Sequence, residues 1–376
     1  MPTIESILRA DERLAPIVAE AKRFRLQVVL GRVEANADGR PRLVQDGFRL
    51  EAEYFYPASS IKLLAAVAAF EALPELAAET GLEIDESTAL TFHPLFDGEV
   101  LAAEDPSNLA GGKITVGHEM RKLFLVSDNE AFNRLYEWVG PDQLNRSMLR
   151  AGLSSTRIVH RLSEARTPAE NRMTPRIGFR GQGFEHEIPA RTVELDLPAM
   201  GVGGLSIGRG YLRAGKRVEE PFDFSQKNRM SLADLQRALA RVVRPDVDSG
   251  GADFRLSDAH REQLIEAMGQ YPRESANPRY RVTEYPDHWG KFLLPGLEKV
   301  LPKARLRIYN KIGQAYGFSV ENAYVTDRAT GRGFFLAAVI YTNRDGILND
   351  DRYEYDEVAA PFFAALGEAV ARSLWE

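Results

Sequence analysis

The sequence predicts an α/β (α+β) fold: one antiparallel sheet assembled from both chain ends, flanked by helices and set beside a mainly helical lobe. Three observations predict it. A helix-then-hairpin pattern lies near the N-terminus, three strand patterns and an amphipathic helix lie near the C-terminus, and helical patterns fill the middle. At 376 residues the chain is long for one domain and natural for two packed lobes. The expected division is a discontinuous α/β lobe, residues 1–57 and 290–376, around a mainly helical lobe at 58–289.

Each element follows from its spacing. From Glu5 to Lys22, the residues Ile7, Leu8, Leu14, Ile17, Val18 and Ala21 recur at three and four, which predicts a helix. Phe24 to Leu30 and Pro41 to Phe48 read as strands, with turn chemistry over Ala35 to Gly39 between them. Ser59 opens an apolar helix to about Leu73, and Pro74 to Thr115 is loop-rich. Helical patterns return over His118–Val126, Glu130–Val139 and Asp142–Ala151. Between about Thr167 and Phe224, Gly and Pro become frequent and strand-like pieces such as Arg191 to Leu195 occur, which predicts an insertion with a hairpin or two. Ser231 is placed to cap a helix running to Val243. Arg305–Ile312, Ser319–Thr326 and Phe334–Thr342 read as strands, and Pro361–Trp375 as the closing helix.

Composition narrows the function. Apolar residues make up 44% of the chain and charged residues 27%, enough for a large core. The net charge is −6, from 54 acidic and 48 basic residues, with no outstanding Lys/Arg block. Nucleic acid and anionic membrane surfaces both need a cationic footprint, so neither is expected as the main partner. The absence of cysteine excludes disulfides, thiolate metal sites and cysteine nucleophiles. The most apolar stretch, Ile61 to Phe70, falls far short of the ~20 residues of a membrane span. Met1-Pro2-Thr3-Ile4-Glu5 shows neither a basic nor an apolar leader region, so no signal peptide is visible there.

Three short motifs carry the chemistry. Ser59-Ser60-Ile61-Lys62 is an S-x-x-K; on a helix, residues three apart share a face, so Lys62 can reach the Ser59 hydroxyl. A serine at a helix start also lies among free backbone N–H groups that can stabilise an oxyanion. For Lys62 to take a proton its pKa must fall, which burial and a second cation would achieve. Alone the motif is weak, since about one chance occurrence is expected in a chain this long. Ser127-Asp128-Asn129 lies between two helical patterns, where a hydroxyl can relay a proton and an amide can hold a substrate amide. Lys311-Ile312-Gly313 lies on a predicted strand; the lysine supplies fixed charge and the glycine lets a substrate lie close. Taken singly, the last two are better read as a helix cap and an ordinary strand.

The order S-x-x-K, S-D-N, K-x-G changes that weighing, because each motif falls on the element its chemistry needs. The sequence resembles the class A β-lactamase-like branch of the penicillin-recognising serine hydrolases over most of the chain. The resemblance implies Ser59 as the acylated nucleophile, Lys62 as its base and Ser127 as proton relay. It implies Asn129 as the substrate-amide ligand, Lys311 and Gly313 as the substrate-lining strand, and the N–H groups of Ser59 and Gln314 as the oxyanion hole. It further implies no cofactor and no metal, a small-molecule or peptide-like amide or ester substrate, and a periplasmic or secreted location with a leader upstream.

Two departures stand out. Position 312 is Ile where the family carries a hydroxyl residue that helps bind the carboxylate of penicillins and D-alanyl peptides. The region matching the deacylation loop, about Arg161 to Thr174, offers Glu164 and Glu170, with Asn171 directly after the latter, and neither has the family's glutamate-to-asparagine spacing. Glu164, Glu170 or neither is left as the water-activating base. Activity therefore stays open between β-lactamase, D-alanyl peptidase, esterase and a domain that binds β-lactams without turnover. Three further patterns are set aside. Gly210 to Arg217 nearly spells a P-loop but reads as a hairpin turn, and the six histidines show no metal-binding spacing. Asn349-Asp350-Asp351 reads as a solvated turn.

Overall fold

A computed structural model describes residues 2–376. Its centre is a five-stranded antiparallel sheet in the order Leu306–Ala315, Phe318–Asp327, Gly333–Tyr341, Gln27–Ala35, Pro41–Phe48. The N-terminal hairpin therefore docks on the C-terminal meander, through pairs such as Val29 with Ala337. Alternation along Gly333–Tyr341 explains why that strand is apolar throughout. Phe334, Leu336, Ala338 and Ile340 pack on the terminal helices, while Phe335, Ala337 and Val339 face the helical lobe. Both faces of the sheet are buried, so no position on the strand needs to be polar.

One face is covered by the helices Ile4–Ala10, Ala15–Ala19, Leu294–Leu297 and Ala360–Trp375. On the other lie Lys62–Thr80, Val116–Leu125, Asn129–Val139, Pro141–Arg150, Leu232–Val243 and Asp258–Gly269. The apolar helix Lys62–Thr80 is the axis of this second layer: every residue from Lys62 to Leu73 is buried.

Several boundaries differ from the sequence reading. The predicted N-terminal helix is two, interrupted at Asp11, whose carboxylate accepts the Arg13 N–H at 2.9 Å and ends the first turn run. The first strand starts at Gln27 and extends to Ala35. The Ser59 helix does not stop before Pro74 but runs through it to Thr80, where Gly81 (φ 70°) caps it. Leu73, Leu76 and Ala77 pack on the core there, and that burial outweighs the roughly 3 kcal/mol a proline costs inside a helix. The helix Asp258–Gly269 was not anticipated, because only Leu264, Ala267, Met268 and Gly269 of it are buried; Ser257, which accepts the His260 N–H, was its available signal.

The 167–224 region holds the hairpins Ile177–Gly181/Phe184–Ile188 and Gly210–Arg213/Lys216–Val218. The first pairs with Ala89–Phe92 inside the stretch read as loop, and the second pairs with Ile347–Leu348 beyond the sheet. The P-loop-like sequence is this second hairpin. Its turn, Ala214-Gly215, has φ of 50° and 75°, the double positive φ that a two-residue hairpin loop demands. No described helix is long and apolar enough to cross a membrane.

Candidate active site

Ser59 sits in a single 3-10 turn, Ala58–Ile61, that leads directly into Lys62–Thr80. The turn is held by Ser60, whose N–H and hydroxyl both donate to Pro57 O, at 3.1 and 2.7 Å. Ala58 before it has φ 47°, a strained setting for a residue with a Cβ. Ten described non-glycine residues have positive φ, and six of them, Ala58, Ser127, Ser163, Tyr316, Asn349 and Asp351, line the cleft around Ser59. Strain concentrated at one cavity makes it the candidate functional site.

Lys62 lies at the first turn of its helix and is fully buried. Its Nζ donates to Ser127 O at 2.5 Å and Asn129 Oδ1 at 2.7 Å, with Ser127 Oγ at 3.4 Å. Burial drives its pKa well below the ordinary lysine range, and the Lys311 charge adds to the fall while Asp128 opposes it. Lys311, on the strand Leu306–Ala315, donates to the same Ser127 hydroxyl at 2.8 Å and to Ile312 O at 3.0 Å. It is also buried, and burial brings its pKa down to about 7. The Ser127 hydroxyl thus lies between two lysine nitrogens, each shifted toward its neutral form.

The Ser127 loop is built for this. The helix Val116–Leu125 ends there, Asp128 caps the next helix by accepting the Ala131 N–H at 2.8 Å, and Ser127 turns through φ 60° between them. Asn129 spans the gap to the facing loop, accepting from Lys62 and donating to Ser163 Oγ at 2.7 Å.

Gly313 explains why the strand can lie against the serine. A Cβ there would sit 2.4 Å from Pro57 O, 2.8 Å from Ser60 N and 2.9 Å from Ser59 N, all backbone atoms. Leu306–Ala315 is an edge strand, so alternate backbone groups along it face the cleft instead of the sheet. Gln314, next along it, is exposed and donates from its side chain to Ser319 Oγ at 3.0 Å. Ile312 is 9% exposed and lines the cleft with no hydroxyl to offer.

The facing loop is held from beneath. Asn133 bonds both backbone groups of Leu162, at 2.8 and 3.0 Å, which sets Ser163 and Glu164 at the rim. Arg161, fully buried, pairs with Glu137 at 2.7 Å and donates to Glu170 O and Met173 O. Asn171 is a staple of the same loop: its side chain takes the Arg161 N–H and donates to Arg166 O and Thr167 O. The two candidate carboxylates separate here. Glu164 lines the cleft, bound to Asn133 Nδ2 at 2.8 Å and Arg166 Nε at 3.3 Å. Glu170 lies outside the cleft lining and accepts the Thr167 N–H at 2.6 Å, so its carboxylate is engaged in its own turn.

The cleft has two arms that meet at Ser59. One, about 570 Å³, is walled by Trp289, Phe292, Ile312 and Phe363 and contains Ser127. The other, about 990 Å³, contains Ser163, Glu164, Tyr316, Lys227 and Arg213. Sequence reasoning did not single out Trp289, Lys227 or Arg213. They come from loops and the hairpin insertion, where no local pattern signals their approach to Ser59. Among the described residues no group of three or more His, Asp or Glu is placed to hold a metal ion.

Residues 44–180 match the model of the β-lactamase enzyme family. Solved structures share the fold at low identity. A β-lactamase from Desulfarculus baarsii is 17% identical with a TM-score of 0.53, covering 100% of both chains. One from Xanthomonas campestris is 18% identical with a TM-score of 0.53, again over 100% of both. A class A β-lactamase from Mycobacterium abscessus is 16% identical with a TM-score of 0.50, over 96% of this chain and 98% of that one. No curated protein sequence matches. The solved structures show a β-lactamase-like fold.

Proposed function

We propose that the chain is a serine hydrolase that works through an acyl-enzyme on Ser59, β-lactamase-like in cleaving amide or β-lactam bonds. The observation that carries the reading is the fully buried Lys62 amine, held among Ser127 and Asn129 with its pKa driven down by burial and Lys311. In its neutral form Lys62 takes the Ser59 proton as Ser59 Oγ attacks the carbonyl carbon. The N–H groups of Ser59 and Gln314 receive the developing oxyanion. Ser127, hydrogen-bonded to Lys311, passes a proton to the leaving nitrogen as the C–N bond breaks and recovers one from Lys62. Water then attacks the ester and frees Ser59.

A second reading, a β-lactam-binding or sensor domain that acylates without turnover, is favoured by one observation. Both oxygens of the cleft carboxylate Glu164 are already engaged, one by Asn133 and the other by Arg166, which leaves it poorly placed to receive a water proton. D-alanyl peptidase and esterase activities share the same first half-reaction, and Ile312 weighs against carboxylate-directed substrates on its side of the cleft.

Intact-mass measurement after incubation with a penicillin separates these. A lasting adduct on Ser59 means acylation without release, and hydrolysed drug without adduct means turnover. Neither outcome moves the assignment to ester or other amide substrates. If Ser59→Ala left every measured hydrolysis unchanged, the catalytic reading would be refuted.

A further inference from the structure

The two arms of the cleft differ in charge, and the catalytic assignment says which part of a substrate each arm receives. Ser127, the proposed donor to the leaving group, lines the arm walled by Trp289, Phe292, Ile312 and Phe363. His288 and Asp356 also line it, and no described Lys or Arg does, so the leaving group enters surroundings without a fixed positive charge. Lys311, which holds the Ser127 hydroxyl, is buried and already engaged with Ser127 and Ile312 O. The acyl group that stays on Ser59 occupies the larger arm.

That arm contains four cations, and their partners distinguish them. Arg161 is paired with Glu137, and Arg166 with Glu99 and Glu164. Arg213 donates to Tyr211 Oη at 2.9 Å and, among the described residues, has no carboxylate within 4.0 Å. Lys227 has no hydrogen-bond acceptor and no carboxylate partner among the described residues. Its Nζ instead lies 5.5 Å from the centre of the Phe222 ring and 5.7 Å from that of Tyr316. Ring faces attract an ammonium but satisfy none of its three donors. Half-buried in this setting, Lys227 has its pKa lowered by desolvation, the mark of a cation short of counter-charge. Asp351 also lines the arm but lies beyond ion-pair distance of Lys227.

We propose that the larger arm is a pocket for an anionic acyl group, with Lys227 binding its charge as the specificity-determining residue. The substrate class is an amide or ester whose acyl chain ends in a carboxylate and whose leaving group carries no carboxylate. A carboxylate oxygen seated there supplies the acceptor that Lys227 lacks, while the rings of Phe222 and Tyr316 keep the pair partly out of water. Arg213, on the exposed hairpin turn, adds charge at the mouth. The assignment rests on the acyl-enzyme reading and adds a polarity to it: negative charge is read on the acyl side.

The test compares 4-nitrophenyl esters of equal acyl length, one ending in a carboxylate, one in a methyl and one in an ammonium group, with Ser59→Ala as the background. The expected result is a kcat/KM for the carboxylate ester roughly ten- to a hundredfold above the methyl ester, the range of a charge-assisted bond. In Lys227→Met that ratio falls by the same factor, and in Lys227→Glu the ammonium ester becomes the preferred one. Ser59-dependent cleavage with no carboxylate preference in the unaltered chain overturns the Lys227 assignment alone. So does a preference that survives in Lys227→Met. If no ester shows Ser59-dependent release and no Ser59 adduct forms, the acyl-enzyme reading itself fails, and this assignment falls with it.

Discussion

Replacing Gly313 by alanine tests the geometry of the site with a single methyl group. The new Cβ would approach Pro57 O to 2.4 Å, where ordinary contact begins at 3.4 Å, and two further backbone nitrogens, Ser60 N and Ser59 N, lie within 2.9 Å. None of these atoms belongs to a side chain that can rotate away. Relief requires the edge strand and the Ser59 turn to separate by about 1 Å. Such overpacking costs about 1–3 kcal/mol of stability. The kinetic cost is larger, because the same displacement moves Gln314 away from Ser59, and with it one of the two proposed oxyanion donors. A misplacement of about 1 Å costs roughly 10²-fold in rate, or about 2.7 kcal/mol at the barrier. The assay is the second-order rate of Ser59 acylation, followed by intact mass on an activated ester or penicillin, beside thermal unfolding of the same samples. A variant that acylates within a factor of three of the parent and unfolds at the same temperature refutes the close approach argued for the strand.

Three further outcomes are expected. Ser127→Ala should slow amide or β-lactam cleavage by about 10²–10⁴-fold, while a nitrophenyl ester, whose leaving group needs no proton, loses far less; parallel kinetics on both substrates check it. Lys311→Met should abolish acylation yet raise the melting temperature at neutral pH, with a gain of a few kcal/mol at most. The sign follows from Lys311 having a folded pKa of about 7 below its ordinary 10.5: the folded chain binds fewer protons, so the native charge costs most at and below pH 7 and nothing above 10.5. The gain should therefore shrink as unfolding is repeated at rising pH. Arg161→Met should destabilise the chain by about 3–5 kcal/mol by leaving Glu137 partnerless and freeing the loop that carries Ser163 and Glu164, read by denaturant unfolding.

The legible parts of the molecule were those with local signatures. Apolar runs marked strands such as Gly333–Tyr341, which is buried on both faces, while the half-exposed Pro41–Phe48 was marked by the turn chemistry before it. Capping residues marked helix starts, as Ser231 does by accepting the Asp234 N–H. The helix through Pro74 and the helix Asp258–Gly269 were not legible. Both are set by contacts with the core that outweigh a breaker in one case and a weak pattern in the other. The three motifs named the residues that the fold gathers: Ser59 at its turn, and Lys62, Ser127, Asn129 and Lys311 linked by hydrogen bonds.

By itself the sequence determined which residue types stand three apart on a helix, on a tight inter-helix connection and on a strand beside a glycine, and so which chemistry was available. Whether that chemistry has a proton acceptor was a tertiary question. The Lys62 pKa falls only because the fold withdraws the amine from water and sets Lys311 nearby, and no spacing along the chain encodes that desolvation. The same holds for the two carboxylates of the deacylation loop. Glu164 and Glu170 are equals in the sequence, and only the folded loop lines the cleft with one and turns the other into a backbone cap. Lys227 is the extreme case: 168 residues separate it from Ser59, and only the packing of the inserted region brings both to one cavity.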